Sequence, residues 1–276
     1  MRILILGING LLGSNLYLYL KNYSNYEIYG TCRNMKFNED NIFCFEHNIK
    51  NLKTKINYLE PDIIINCLVK TRFNKKNYTE KIDFLYSNCE IPFFLDNYCY
   101  EKSIYFIHFS TDSVFKSDNL YHQKEENYSP ENFYGLTKCL SENLEKSLVL
   151  RICPIGFELF SNNSLFNFIY NNDSEILYGF ENCIFNGTTT IHIAKKIIEI
   201  INKKNIYGIR HITGQKINKY YLLKIINNIF ELKKTILPKN KPEIIRLIED
   251  DNEYYCESPW DGQIEELKKF MELIRN

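Results

Sequence analysis

The sequence predicts an α/β chain: a doubly wound parallel sheet with a small, interwoven C-terminal lobe. Three observations predict it. Aliphatic runs of strand length alternate with helix-spaced segments through the first half of the chain. The run Ile63-Ile64-Ile65 is unbroken by polar residues, as in a parallel strand covered on both faces. Gly7, Gly10 and Gly13 stand three residues apart directly after the first aliphatic run. That is the pattern of a strand turning tightly into a helix.

Taken in order, residues 2–6 read as the first strand and 11–20 as a helix. Residues 26–32 and 42–45 read as strands two and three, and 62–67, opened by Pro61, as the fourth. A helix over 81–100 leads to a strand over 104–109. A helix carrying Tyr134 and Lys138 extends to about residue 146, and 148–152 is a sixth strand. Beyond Arg151 the pattern loosens. Residues 153–187 are mixed, with turn signals at Asn162-Asn163 and Asn171-Asn172. Helices are predicted over 188–201 and 218–230, a strand over 207–212 and a loop over 238–242. Ile264, Leu267, Met271 and Ile274 form the apolar face of a last helix. The expected division is a dinucleotide-binding core over 1–152, joined by elements from about 188–230. A substrate-binding lobe is expected from 153–187 and 231–276.

The 276 residues balance 34 Lys+Arg against 34 Asp+Glu, so nothing advertises a nucleic-acid or acidic-membrane partner. Nine cysteines occur without a CxxC pair or a neighbouring His cluster. Reduced thiols in a cytoplasmic protein are expected, with no metal site. The first apolar run is short and broken by glycines, and reads as a strand, not a signal peptide. No stretch reaches the ~18 continuous apolar residues of a membrane span.

The glycine turn, Gly7-Ile8-Asn9-Gly10-Leu11-Leu12-Gly13, can present backbone N–H groups and a helix N-terminus to a pyrophosphate. In this reading Gly7 permits the turn, Gly10 lets the phosphates approach, and Gly13 allows helix and strand to pack closely. The second strand ends Thr31-Cys32-Arg33-Asn34, without the acid that would accept from a ribose 2′-OH. Arg33 can pair with a 2′-phosphate, so NADP is favoured over NAD. Tyr134 and Lys138, four apart, share a helix face, and the ammonium is expected to lower the phenol toward useful acidity. Ser110, Thr111 and Asp112 fall at a strand end, where crevice residues belong. His108 reads as a packing histidine. His47, His122, His192 and His211 are isolated, without metal-like spacing. Trp260 reads as packing.

With these residues in view, GINGLLG, PDIIINCLVKT, FIHFSTDSVF, FYGLTK and LRICPIG, in that order, resemble the extended short-chain dehydrogenase/reductases. Within them the likeness is to the dTDP-4-dehydrorhamnose reductase group of nucleotide-sugar 4-ketoreductases. It is good over roughly the first 155 residues and faint after about Phe230. The resemblance implies a Rossmann fold and a catalytic triad of Thr111, Tyr134 and Lys138. It implies adenine-side contacts at Asn48 and Ile49, and mid-cofactor contacts at Cys67, Leu68 and Val69. Ser110 and Cys153 also fall at cofactor positions. Substrate contacts fall on Thr71, Phe73, Asp112, Ser113 and Ile155. Two positions depart from the group: Ser113 stands where it usually has Tyr, and Ile155 where it usually has Trp.

The expectation is reduction, with NADPH, of the C4 ketone of a UDP- or dTDP-linked 4-keto-6-deoxysugar by a monomer or homodimer. Two alternatives stay open. One is a non-catalytic dinucleotide-binding regulatory subunit or sensor. The other is an epimerase or bifunctional epimerase/reductase, for which Cys153 with His192 or His211 offers no confident pattern. Sugar 4,6-dehydratases carry Asp-Glu after the Thr; here Asp112 is followed by Ser113.

Overall fold

The structure, a computed structural model, describes residues 1–33, 39–45, 48–71, 78–203 and 206–275. Asn34, His47 and Phe73 lie outside the described residues. The first half runs β1 (Arg2–Leu6), α1 (Leu11–Tyr23), β2 (Glu27–Cys32), β3 (Ile42–Cys44), α2 (Ile49–Leu59), β4 (Ile63–Asn66) and α3 (Tyr78–Leu85). A π-helical turn (Tyr86–Glu90) joins α3 to α4 (Ile91–Glu101). Then come β5 (Tyr105–Thr111), β6 (Tyr121–His122), α5 (Phe133–Leu140) and β7 (Leu148–Ile152). The rest comprises β8 (Pro154–Ile155), α6 (Leu165–Tyr170), β9 (Ile176–Phe180), β10 (Cys183–Phe185), β11 (Thr188–Thr189) and α7 (Thr190–Lys203). These are followed by β12 (Gly208–Ile212), β13 (Ile217–Asn218), α8 (Lys219–Ile229), β14 (Thr235–Lys239), β15 (Ile244–Ile248) and α9 (Trp260–Leu273).

Seven strands form one sheet in the order β12-β7-β5-β4-β1-β2-β3, every pairing parallel. The chain winds outward from β1 in one direction to β3, then returns to wind the other way from β4. The crevice of such a sheet opens at the strand C-termini where the winding reverses, here between β1 and β4. Both faces are apolar because both are covered. Ile3, Ile5, Ile63, Ile65 and Ile107 belong to the layer shared with α1, α7 and α9. Leu4, Leu6, Ile64 and Phe106 belong to the layer shared with α2 and α4. Successive residues point to opposite faces, so burial on both sides demands the unbroken runs seen in the sequence.

β6, from the first half, joins β13, β10 and β15 in a second sheet ordered β13-β10-β15-β6. β14 pairs with β9 and β11 with β8.

Three elements differ from the sequence reading. The helix predicted over 81–100 is interrupted by the π turn, where the Ile91 N–H reaches back to Tyr86 O. Pro92 has no N–H to give to Asn88, and its ring crowds the position that carbonyl would take. The helix predicted to run to 146 ends at Leu140. There the chain turns so that the Glu145 and Lys146 N–H groups and the Ser147 hydroxyl reach the Asp96 carboxylate. Pro238, assigned to a loop, lies inside β14. Among the described residues that strand pairs in a sheet with β9 alone, and proline is tolerated at such an edge.

Candidate active site

The glycine turn sits at the sheet's reversal point. Gly7 adopts φ +82°, a left-handed conformation, and its N–H donates to Thr31 O at 3.0 Å. A Cβ there would stand 3.1 Å from the Cys67 carbonyl carbon, because the turn packs on the end of β4. A Cβ on Gly13 would lie 2.3 Å from Gly7 O, so only glycine lets α1 start against the turn. Gly10 is different: its nearest neighbour would be an ordinary 3.5 Å away, and its open side faces the cleft. It occupies the N-cap of α1 with no side-chain cap, and no acid follows in the first turn. Unpartnered N–H groups and the positive end of the helix dipole therefore face the cavity.

Two cavities share Gly10, Cys67, Leu68, Val69 and Asn163, and form one cleft. The first, about 600 Å³, is also lined by Gly7, Asn9, Thr31, Cys32, Arg33, Phe45 and Lys70. The second, about 340 Å³, is also lined by Leu11, Leu12, Thr71, Ser110, Thr111, Tyr134 and Lys138. Most sequence-predicted residues are thus gathered along one groove, from the end of β2 to the start of α5. Asn48 and Ile49 are not among the described residues lining it. The Asn48 side chain instead caps α2, accepting from Lys50 N at 2.9 Å, and the Ile49 N–H donates to Tyr86 Oη at 3.0 Å. Gly13, packed on the turn, is not among the described residues lining the groove.

Tyr134 reaches Thr111 because α5 lies hard against the turn after β5. A Cβ on Gly135 would be 2.2 Å from Ser113 O, so the glycine next to the tyrosine permits this approach. Asn132 caps the helix, accepting from Gly135 N at 2.8 Å. The Tyr134 phenol lies beside the Thr111 side chain, which favours its ionised form. Thr111 Oγ1 donates to Asp112 Oδ1 at 3.0 Å and accepts from Ser113 N at 3.2 Å.

The electrostatics differ from the simple expectation. The phenol stands well above the usual tyrosine value: enclosure by protein raises it most, the Thr111 side chain opposes, and Asp112 and Cys153 push the same way as burial. Lys138 does not counter this. Its side chain is 1% exposed, burial pushes it down to about 8, and its Nζ lies 2.9 Å from His108 Nε2. Four residues on a helix set a shared face, but tertiary contacts decide where a long side chain ends.

Asp112 is raised by burial against the pull of Arg246 and of the Thr111, Cys153 and Ser113 side chains. Burial and Asp112 drive the Cys153 thiol far above its usual value. Ile155 is buried, in β8. The Ser110 hydroxyl, although it borders the cleft, is bonded to Glu142. Trp260 packs edge-on against Phe185 and donates to Gln215 O.

Several lining residues escape sequence reasoning. Phe160, Ser161 and Asn163 come from the loop after β8, which covers the cleft. Glu158 holds that loop by accepting from Asn163 N at 2.5 Å and Ser164 N at 3.0 Å. The turn signal at Asn162-Asn163 marks the loop but not its position. Asn88, in the π turn, accepts from Lys70 N at 2.9 Å and donates to Thr137 Oγ1 at 3.0 Å, tying the loop after β4 to α5. Among the described residues no helix is long and apolar enough to cross a membrane.

Comparison with known proteins bears on the whole chain. A dTDP-4-dehydrorhamnose reductase from Bacillus anthracis str. Ames, in complex with NADP, aligns with a TM-score of 0.81 at 19% identity over 97% of this chain and 98% of that one. A dTDP-4-dehydrorhamnose reductase ortholog from Clostridium acetobutylicum ATCC 824 gives 0.75 at 22% identity over 100% of both chains. A dTDP-glucose 4,6-dehydratase from Bacillus anthracis str. Ames, in complex with NAD, gives 0.78 at 18% identity over 99% and 97%. At such identities the likeness is one of fold. No curated protein sequence matches. The family model described as RmlD substrate binding domain matches residues 1–246, most of the 276, and the chain belongs to that family.

Proposed function

We propose that this chain is an NADPH-dependent oxidoreductase that reduces the C4 ketone of a nucleotide-linked 4-keto-6-deoxysugar, UDP- or dTDP-linked. One observation carries the reading. The Tyr134 phenol, beside Thr111, stands in a cleft continuous with an uncapped helix N-terminus and a glycine turn.

The residues fit a dinucleotide. Gly10 and the first turn of α1 suit a pyrophosphate. Arg33, at an acid-free end of β2, suits a 2′-phosphate. Lys138 and the Thr111–Tyr134 pair border the far end of the cleft. A bound nicotinamide supplies the hydride. The chain's own part is to hold the ketone and deliver a proton. Thr111 turns its hydroxyl hydrogen from Asp112 to the carbonyl oxygen, and Tyr134 gives its phenolic proton to the alkoxide. A phenol raised by burial stays protonated through the neutral range, which suits a donor. Reduction is favoured over dehydration because Ser113 supplies no carboxylate beside Asp112 for elimination.

The test is loss of NADPH absorbance with UDP- and dTDP-linked 4-keto-6-deoxysugars, against NADH and against the corresponding sugars without a ketone. The reading predicts turnover with at least one keto-sugar, faster with NADPH than with NADH. Binding of NADPH without turnover on any of them would contradict it and favour a regulatory subunit.

A further inference from the structure

His108 is buried, and the mechanism above does not use it. Its two ring nitrogens both meet donors. The Leu68 N–H donates to Asn66 Oδ1 at 3.0 Å, which fixes the Asn66 amide with its nitrogen toward His108. That nitrogen, Nδ2, stands 3.1 Å from His108 Nδ1. Nδ1 must therefore accept, and in a neutral imidazole the hydrogen then sits on Nε2. Lys138 Nζ is 2.9 Å from that Nε2. An ammonium carries only donors, and two N–H groups cannot point at each other across such a distance. One of the two nitrogens must offer a lone pair, and Asn66 leaves that role to Nζ. Ser141 Oγ, 3.3 Å from Nε2, donates its own hydrogen to Lys138 O.

Resting on the reading of the cleft as a dinucleotide site, we propose that on the alkaline side of neutrality Asn66 and His108 hold Lys138 as the uncharged amine in the cofactor-free protein, so that dinucleotide binding there is coupled to uptake of a proton at Lys138 Nζ.

The surroundings agree. Among the described residues, the titratable groups facing Lys138 are His108 from β5, Cys89 from the π turn and Glu142 beyond the end of α5. Cys89 is raised by burial and is an uncharged thiol. Glu142 pulls Lys138 upward, but its carboxylate is already committed to Arg151, at 2.7 Å from Nη2, and to the Ser110 hydroxyl. Burial outweighs it and brings Lys138 to about 8, while His108 stays well below its usual value. A dinucleotide brings phosphates and hydroxyl acceptors that favour an ammonium. On binding, the Nζ lone pair takes a proton from the buffer, an N–H bond forms, and the buffer acid becomes its conjugate base. His108 is a positioning residue here: it acts through Lys138 and touches neither ligand nor reacting atoms.

Two measurements decide this. The first is ¹⁵N NMR of histidine-labelled, cofactor-free protein, with His108→Gln used to assign the signal. At about pH 9 a neutral Nε2–H tautomer is expected; an Nδ1–H tautomer there would overturn the proposal. The second is calorimetry of NADPH binding at about pH 9 in two buffers of different ionisation heat. Uptake approaching one proton per NADPH is expected by linkage, about zero in Lys138→Met, and much reduced in His108→Gln, whose amide oxygen can face an ammonium. Zero uptake in the unaltered protein, or equal uptake in Lys138→Met, would also overturn it. Absence of any NADPH binding would defeat the dinucleotide reading and the coupling together, leaving the NMR to decide the resting state of Lys138.

Discussion

A phenol that must give a proton at neutral pH needs to keep that proton until an oxyanion asks for it. Tyr134 is arranged for this. Enclosure raises it, so the phenol keeps its hydrogen through the neutral range. A positioned general acid is worth about 10²–10⁴ in rate, so most of the chemistry expected of this chain rests on one hydroxyl. The residues proposed to bear that chemistry were legible in the sequence. Tyr134, Lys138 and Thr111 are named by spacing and by their place at a strand end, and all three border the same cavity. What spacing could not reveal was the direction of the Lys138 side chain. Its partner, His108, is 30 residues away on another element, where it reads as packing. The same blindness applies to Asn66 and Asn88, two buried amides whose role is to fix neighbours.

At the scale of elements, close approach makes the site. α1 can begin against the β1 turn only because Gly13 lacks a side chain, and α5 can lie on the turn after β5 only because Gly135 does. The first requirement was read from the three-residue glycine interval. The second was not, because a lone glycine beside a tyrosine carries no pattern. Gly135→Ala would set its Cβ 2.2 Å from a backbone oxygen that cannot swing aside. Chemical denaturation should show a loss of about 1–3 kcal/mol, the usual cost of overpacking. Turnover should fall further than stability accounts for, since the helix must move off Thr111. Unchanged stability and turnover would mean that α5 sits more loosely. The alternation of long strands and helices was also legible, because two-sided burial writes itself as aliphatic runs. The two- and three-residue strands β8, β10, β11 and β13 were not. Strands so short lack any period, and their pairing partners lie far along the chain.

Across the whole molecule, the sheet is closed at one side by a buried polar cluster. Arg151 of β7 pairs with Glu142 through Nε and Nη2, and its Nη1 faces His211 Nε2 on β12 at 3.1 Å. His211 Nδ1 donates to Glu249 O at 2.8 Å, which leaves Nε2 as the acceptor for the arginine. Burial, with smaller pushes from Arg151 and Lys124, brings His211 down to about 4. Its folded value lies below the ~6.5 of an unfolded histidine, so the unfolded chain binds the proton first as pH falls. Stability is then lost from about pH 6.5 downward to about 4. By pH 5 this one group should cost roughly 2 kcal/mol relative to pH 7. Urea midpoints at the two pH values check this: His211→Gln should be less stable at pH 7 but show a smaller further drop at pH 5. An equal drop would place the acid sensitivity elsewhere, with buried His108 and half-buried His192 lowered in the same direction.

The most direct test of the account is Tyr134→Phe, measured by single-turnover oxidation of NADPH on whichever keto-sugar the unaltered protein accepts, with NADPH affinity followed by fluorescence. The substitution removes one oxygen and leaves the ring packed against its neighbours. The account predicts a fall of about 10²–10⁴ in the rate of reduction with NADPH affinity nearly unchanged. Reduction at the original rate would contradict it, and would remove Tyr134 as the proton donor.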